Sequence, residues 1–339
     1  MAVAAILRHM GDGGGQRRRA MTGGDRLVGG RLLRELGLLC ALSTLWGSSY
    51  AFIKLGVATI PPVTLIAART VIAGLLLLAV LRLRGIRMKW SADDRRDFAV
   101  QALLNSVVPF TLIAWAQQSV DSSLATILNS TSPIFAFLLT WLVTRHEAVT
   151  VRRLFGGIAG IAGVALIVGT EALAGLGSEL LAQLAIVAAT VCYAGAALFG
   201  RRFGGLDPMV PAAGSLLSGA VILIPVSLIV DRPWTLAPSS LSLLALAALS
   251  IFSTAAALVL YFRLLRTLGA AGATAQSYLR VPVGVAIGVL FLGEALASTA
   301  ALGLLAVVAG VAAMTLPKRS PSPVTRLPNT PSRRPGCAR

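Results

Sequence analysis

Ten stretches of roughly twenty apolar residues, separated by short charged or turn-rich gaps, organise this chain. They cover 36–56, 62–81, 98–118, 123–144, 151–170, 180–200, 208–230, 239–262, 270–292 and 297–316. A helix needs about 20 mostly apolar residues to cross ~30 Å of hydrocarbon. Composition points the same way: 56% of the 339 residues are hydrophobic and only 13% charged, whereas a soluble surface needs more charge than that. The expected fold is an all-α integral membrane protein with ten transmembrane helices. The least apolar stretch is 98–118, which holds Asn105, Ser106, Pro109, Gln117 and Gln118.

The net charge of +17 would suggest nucleic acid in a soluble protein. Here the basic residues form no face. They fall in the gaps between apolar runs, so the expected partners are a small-molecule solute and the lipid bilayer, with no nucleic acid. A homodimer is left open. With both termini on one side, that side receives 26 of the 30 Lys and Arg residues and the opposite loops hold Arg232 alone. By the positive-inside rule this places both ends in the cytoplasm of a multi-pass protein of the cell (inner or plasma) membrane. Lys54, Arg69 and Arg280 are the cations left inside the spans.

The ends stand apart from the spans. Residues 1–35 read as a disordered basic segment, with no apolar h-region of a signal peptide. Met10 and Met21 leave the start of translation open. Residues 317–339 read as a disordered Pro/Arg-rich tail. Cys40 and Cys192 lie in apolar spans and Cys337 in the tail, with no metal-binding spacing.

A shift of 147 residues lays one half of the chain on the other. Trp46 then meets Tyr193, Phe52 meets Phe199, and Lys54 meets Arg201. At the far end Glu147 meets Glu294, Gly156 meets Gly303, and Gly163 meets Gly310. Each half, 36–170 and 180–316, would hold five spans. Five is odd, so the second copy would enter the membrane from the opposite side. Two inverted repeats with a midplane site between them are a common plan of secondary transporters.

The chain resembles the EamA-type members of the drug/metabolite transporter superfamily. The resemblance covers about 36–316. It is carried by WGSSYAFIKLG at 46–56, the prolines at 61–62, Arg69, the HE at 146–147 with its glycine-rich helix, and the GE at 293–294 with its counterpart. It implies two inverted five-helix repeats, a central solute cavity, no universally required cofactor, and export of small metabolites, often amino acids. Substrates vary across the family, so the resemblance does not identify this one.

All 13 Asp and Glu residues lie in tails, loops or span edges. That argues against a cationic-drug exporter, which would need a buried carboxylate, and offers no membrane carboxylate for proton coupling. Arg280 lies near the middle of its span, where a charge is costly. It would hold a substrate carboxylate or phosphate, or else pair with backbone carbonyls. Arg69 would guide an anion or tie down a loop, and Lys54 can simply snorkel to the interface. Trp46 lies too deep for an interfacial belt and, with Tyr193, offers a flat wall. Gly47, Ser48 and Ser49 leave room for close helix packing.

Pro133 and Pro282 fall near the middles of spans four and nine, and proline frees a backbone carbonyl. Paired interruptions in corresponding helices point to a site or gate. Asn129, Ser130, Thr131 and Ser132 precede the first; Gln276, Ser277, Tyr278 and Arg280 precede the second. The expected substrate set is Arg280, Asn129, Ser130, Ser132, Gln276, Tyr278, Trp46, Ser48 and Tyr193. Pro133 and Pro282 are expected hinges. Lys54, Arg69, Trp115, Gln117 and Tyr261 are secondary candidates. These residues read as a carrier that exports amino acids or related carboxylates by alternating access. The rival readings are uptake or exchange of nucleotide-sugar-like or other organic anions, and a membrane-embedded enzyme or scaffold. Two histidines and scattered carboxylates give an enzyme little to work with, and no P-loop marks an ATP-driven pump.

Overall fold

The computed structural model describes residues 23–88, 91–144, 178–274, 276–295 and 298–315, with isolated helical positions between 156 and 166. Side chains within 23–32 and most of 269–278 are not described. Among the described residues every regular element is a helix. They are α1 (Gly23–Val57), α2 (Pro62–Leu83), α3 (Ala92–Ala116), α4 (Ser122–Asn129) and α5 (Ser132–Thr144). After the undescribed stretch come α6 (Ser178–Phe199), α7 (Met209–Val230), α8 (from Ser240 to Thr274), α9 (Gln276–Leu292) and α10 (Ser298–Thr315). Among the described residues six helices are long and apolar enough to cross a membrane: those containing Leu33–Val57, Pro62–Leu83, Ala92–Ala116, Glu179–Phe203, Met209–Val230 and Ser240–Leu268.

Prolines and hydroxyls set many of the boundaries. Pro62 opens α2 at a position whose N–H would be unbonded anyway. A capping box opens α3, with Ser91 Oγ accepting from Asp94 N while the Asp94 carboxylate accepts from Ser91 N. Ser239 accepts from Ser242 N at the start of α8.

α2 and α7 pack side by side, and α1 lies along α9. A shift of 147 residues carries Pro62–Leu83 onto Met209–Val230, residue for residue. Small residues let these helices approach. A Cβ at Gly47 would come within 3.0 Å of the Arg280 carbonyl oxygen and 3.1 Å of Gly284 N, so only glycine fits α1 against α9. The apolar interior joins Ile53, Leu65 and Ile66 to Ile113, Ile127, Ile186 and Leu249. A second cluster packs Leu77 and Leu81 against Phe98, Met209 and Leu216. Leu75, Val221, Leu244 and Leu290 remain on the outside, as expected of a lipid-facing surface.

Three expectations change, and a fourth falls largely outside the described residues. α1 begins at Gly23, so 23–35 is helical, not the end of a disordered segment; 1–22 and 316–339 lie outside the described residues. The expected fourth span is two helices, broken at Ser130 and Thr131. Residues 270–274, expected in span nine, continue α8. The fifth span, 151–170, with Glu147 and most of its glycine-rich run, lies largely outside the described residues.

A feature not expected from the sequence appears twice. α3 carries a π turn at Leu103–Val107 and α8 another at Ile251–Ala256. On the 147-residue register Ser106 is the mate of Ser253. Such π turns widen a helix locally and recur at functional sites.

Candidate solute cavity

A cavity of about 640 Å³ lies among the helices, within the usual range for small-molecule sites. The first helix contributes Trp46, Ser49, Tyr50 and Ile53. Arg69 comes from α2, and Gln101, Asn105, Ser106 and Phe110 from α3 around its π turn. The helix break supplies Asn129, Ser130, Ser132 and Pro133. Tyr193 of α6, Ser253, Thr254 and Tyr261 of α8, and Arg280 of α9 complete the polar and aromatic lining. No Asp or Glu is among the described lining residues.

The helix break is built by its own sequence. The hydroxyls of Ser130, Thr131 and Ser132 donate to the carbonyls of Ile127, Leu128 and Asn129, at 2.6, 2.7 and 2.7 Å. Carbonyls at the end of α4 are thereby partnered without water. Pro133 sits in the first turn of α5, where its missing N–H costs nothing. It therefore starts a helix and does not kink one. Because their protons are committed to the backbone, Ser130 and Ser132 can offer the cavity only oxygen lone pairs.

Arg69 is 6% exposed and held from two sides. Its guanidinium lies 3.9 Å from the Phe110 ring centroid, and its Nε donates to Thr254 Oγ1 at 2.9 Å. The Thr254 hydroxyl in turn donates to the Leu249 carbonyl, five residues back, at 2.7 Å. That spacing belongs to a π turn, so the unusual helix geometry positions the acceptor for the arginine. Stacking on an aromatic face contributes up to about 2 kcal/mol to holding a desolvated cation.

Arg280 is the other cation of the lining. On the 147-residue register it is the mate of Pro133, at the level where the first half breaks its helix. Its Nε is buried with no hydrogen-bond partner among the described residues, as are Asn129 Oδ1, Ser106 Oγ and Gln101 Oε1. Asn129 Nδ2 donates to the Tyr50 hydroxyl at 2.5 Å, which fixes the amide. Two aromatic pairs form walls. Trp46 and Tyr261 have ring centroids 5.3 Å apart, and Phe110 and Tyr193 meet edge to face at 6.4 Å.

The remaining expected residues lie elsewhere. Ser48 donates to the Leu45 carbonyl and faces Ser253 Oγ at 3.5 Å; its neighbour Ser49 reaches the cavity instead. Gln276 is 6% exposed, away from the cavity, and its carbonyl accepts from Ser43 Oγ. The Tyr278 side chain lies outside the described residues. Pro282 is on the exposed face of α9, inside a continuous helix. Gln117 donates to the Tyr50 carbonyl at 3.0 Å and so ties α3 to α1. Trp115 is 44% exposed on the outer surface. The sequence reading missed Tyr50, Phe110 and Thr254, and it noted Asn105 and Ser106 only as weakening a span. Polar residues inside an apolar run were the available signal.

One end of the bundle carries three polar clasps. Lys54 Nζ donates to the Val120 carbonyl at 2.9 Å and lies 3.7 Å from Asp121. Asp231 Oδ2 accepts from Thr64 N and Oγ1, both at 2.8 Å, capping the start of α2. Glu294 caps the start of α4, accepting from Ser122 N at 2.7 Å, Ser123 N at 2.8 Å and Ser123 Oγ at 2.5 Å. Burial pushes the Glu294 carboxyl up, but the bonds from Ser123 and Ser122 outweigh it and hold the pKa below its ordinary value. In both caps the carboxylate comes from the later half and the helix from the earlier one.

At the opposite end the cavity lining continues to Gly200, Phe203, Pro208 and Leu265, beside the basic segments 200–207 and 263–267. Polar contacts there among the described residues include Arg202 with Asp97 at 3.3 Å, Arg266 with Asp207, and Thr267 Oγ1 donating to Glu35 at 2.8 Å.

Comparison with known proteins decides the family. The model of the EamA-like transporter family matches the chain twice, at 33–169 and at 180–316. The chain belongs to the EamA-like transporter family. Its relatives include the uncharacterized inner membrane transporter YedA of Escherichia coli, 30% identical over 290 residues, covering 85% of this chain and 92% of YedA. An uncharacterized transporter of Archaeoglobus fulgidus is 30% identical over 281 residues, covering 81% and 95%. The uncharacterized transporter YoaV of Bacillus subtilis is 24% identical over 278 residues, covering 81% and 94%. A solved crystal structure superposes with a TM-score of 0.58 at 20% identity, over 83% of this chain and 96% of that one, a likeness of fold alone. This EamA-family chain is thus a multi-pass membrane transporter rather than an enzyme.

Proposed function

We propose that the chain is a secondary transporter of the cytoplasmic membrane. It exports small metabolites bearing a carboxylate, amino acids and related acids among them. The observation that carries this reading is the cavity itself: about 640 Å³, aromatic-walled, and lined by Arg69 and Arg280 with no described carboxylate beside them. Arg280 binds the solute's carboxylate, Asn129 and the lone pairs of Ser130 and Ser132 accept from donor groups elsewhere on the solute, and Trp46, Tyr193 and Tyr261 enclose its body.

The mechanism is alternating access between two inverted five-helix repeats, ten helices in all, over 36–170 and 180–316. Support comes from the two family matches, the coincidence of α2 with α7 on the 147-residue register, and the paired π turns. Both termini are cytoplasmic by charge bias. In that orientation the clasps of Lys54, Asp231 and Glu294 close the outer end, and the cavity faces the basic inner loops. The structure then corresponds to an inward-facing state that loads solute from the cytoplasm. Rocking of the halves breaks the outer clasps and closes the inner mouth.

The test is a comparison of metabolites in the medium of cells with and without the protein. Accumulation of a carboxylate outside producing cells, lost in Arg280→Ala with the protein still in the membrane, is the expected result. Medium of unchanged composition would overturn the export reading. Uptake or exchange of organic anions is the second reading, favoured by the same two arginines, and depletion of an anion from the medium would establish it instead.

A further inference from the structure

We propose that this cavity discriminates by net charge: it takes aromatic or similarly flat carboxylates that carry no ammonium group, in preference to the matching zwitterionic amino acids. The inference rests on the cavity being the solute site.

An amino acid brings two opposite charges on one carbon. Its carboxylate is well served by a guanidinium, which offers a planar fork of donors. Its ammonium then lies within a few ångströms of the same guanidinium, with no described acid in the lining to offset it. The undescribed fifth span adds none, since 151–170 contains neither Asp nor Glu. Arg69 supplies a second positive charge to the same space. Neutral acceptors exist, among them Asn129 Oδ1, Ser106 Oγ and the lone pairs of Ser130 and Ser132 Oγ. They replace part of the hydration an ammonium loses on entry, but a neutral acceptor bonds a cation less strongly than a carboxylate does. A solute with a carbonyl oxygen where the amine would be adds no positive charge and can accept from the arginines. Opposite charge is thus rewarded, and a second like charge penalised, in a partly desolvated site.

The body of the solute follows from the walls. The Trp46–Tyr261 and Phe110–Tyr193 pairs present ring surfaces, and Phe110 also holds Arg69. A flat apolar group fits between them, with its carboxylate toward the arginines.

The experiment uses the full chain in proteoliposomes and three solutes of one skeleton: phenylpyruvate, phenylalanine and phenethylamine. The expected result is that phenylpyruvate is carried at least tenfold better than phenylalanine, by the ratio of kcat/KM, and phenethylamine not measurably. Asn129→Asp places a carboxylate at the neutral acceptor and should narrow the ratio at least tenfold. Arg280→Gln should abolish the preference, and Arg280→Lys should keep part of it. The wild-type comparison needs no variant to fold. Phenylalanine carried as well as phenylpyruvate would overturn the inference, and so would transport of neither. The carrier reading itself is judged separately by the metabolite comparison above, which assumes no solute class.

Discussion

Glu294 gives the sharpest test of the proposed cycle. The carboxylate accepts three hydrogen bonds across the two halves, from Ser122 N, Ser123 N and Ser123 Oγ. Glu294→Gln keeps one acceptor oxygen and turns the other position into a donor facing donors. Charge-assisted bonds contribute about 1.5–3 kcal/mol each when enclosed, and solvent at a half-buried site reduces that. The net loss to the closed outer end is therefore about 2 kcal/mol. Since ~1.4 kcal/mol is tenfold, the ratio of open to closed shifts roughly thirtyfold. If about 1% of molecules are outward-open at rest, about a quarter become so. Ser130→Cys, placed at the cavity in a background lacking Cys40, Cys192 and Cys337, reports this. An impermeant maleimide added outside should label it at least tenfold faster in the Glu294→Gln protein. An equal external rate, with normal insertion, would refute the latch.

Other outcomes follow from single contacts. Because the Glu294 pKa is held below its ordinary value, the latch is complete above the usual carboxylate range and lost only as pH falls through the depressed value. External labelling, taken as a ratio to that of a permanently exposed control cysteine at the same pH so that the falling thiolate fraction cancels, should stay flat down to pH ~5 and rise in stronger acid. Gly47→Ala meets backbone atoms of Arg280 and Gly284 at 3.0 and 3.1 Å and should cost about 1–3 kcal/mol in thermal unfolding. Gly37→Ala, with open space around it, should be neutral or slightly stabilising. Thr254→Val leaves Arg69 Nε without its acceptor and should destabilise by about 1–3 kcal/mol, read as a lowered Tm. Trp115→Leu should leave transport within about twofold of wild type, as expected of an outer-surface side chain.

Six of the spans were legible in the sequence because lipid burial writes itself locally, as a run of apolar residues about as long as the membrane is thick. The arginines were legible for the complementary reason, since a charge in such a run demands an explanation. Trp46, Arg69, Asn129, Tyr193 and Arg280 do surround one cavity. What the sequence concealed depends on partners far along the chain. Gln117 looks like a site residue until its bond to the Tyr50 carbonyl is seen, and Gln276 until its burial is. Thr254 looks ordinary until Arg69 arrives from 185 residues away. The break at Ser130 was hidden by reading Pro133 as a kink inside a helix, when it stands at the beginning of one.

The capping arrangement of Asp231 and Glu294 bears on how the chain is made. The helices they complete, α2 and α4, leave the ribosome long before either carboxylate is synthesised. Until then, water at the membrane face must serve those amide hydrogens. The early half therefore enters the bilayer with its helix starts loosely tethered. It acquires its final shape only when the late half is threaded beside it, so assembly finishes from the carboxyl end.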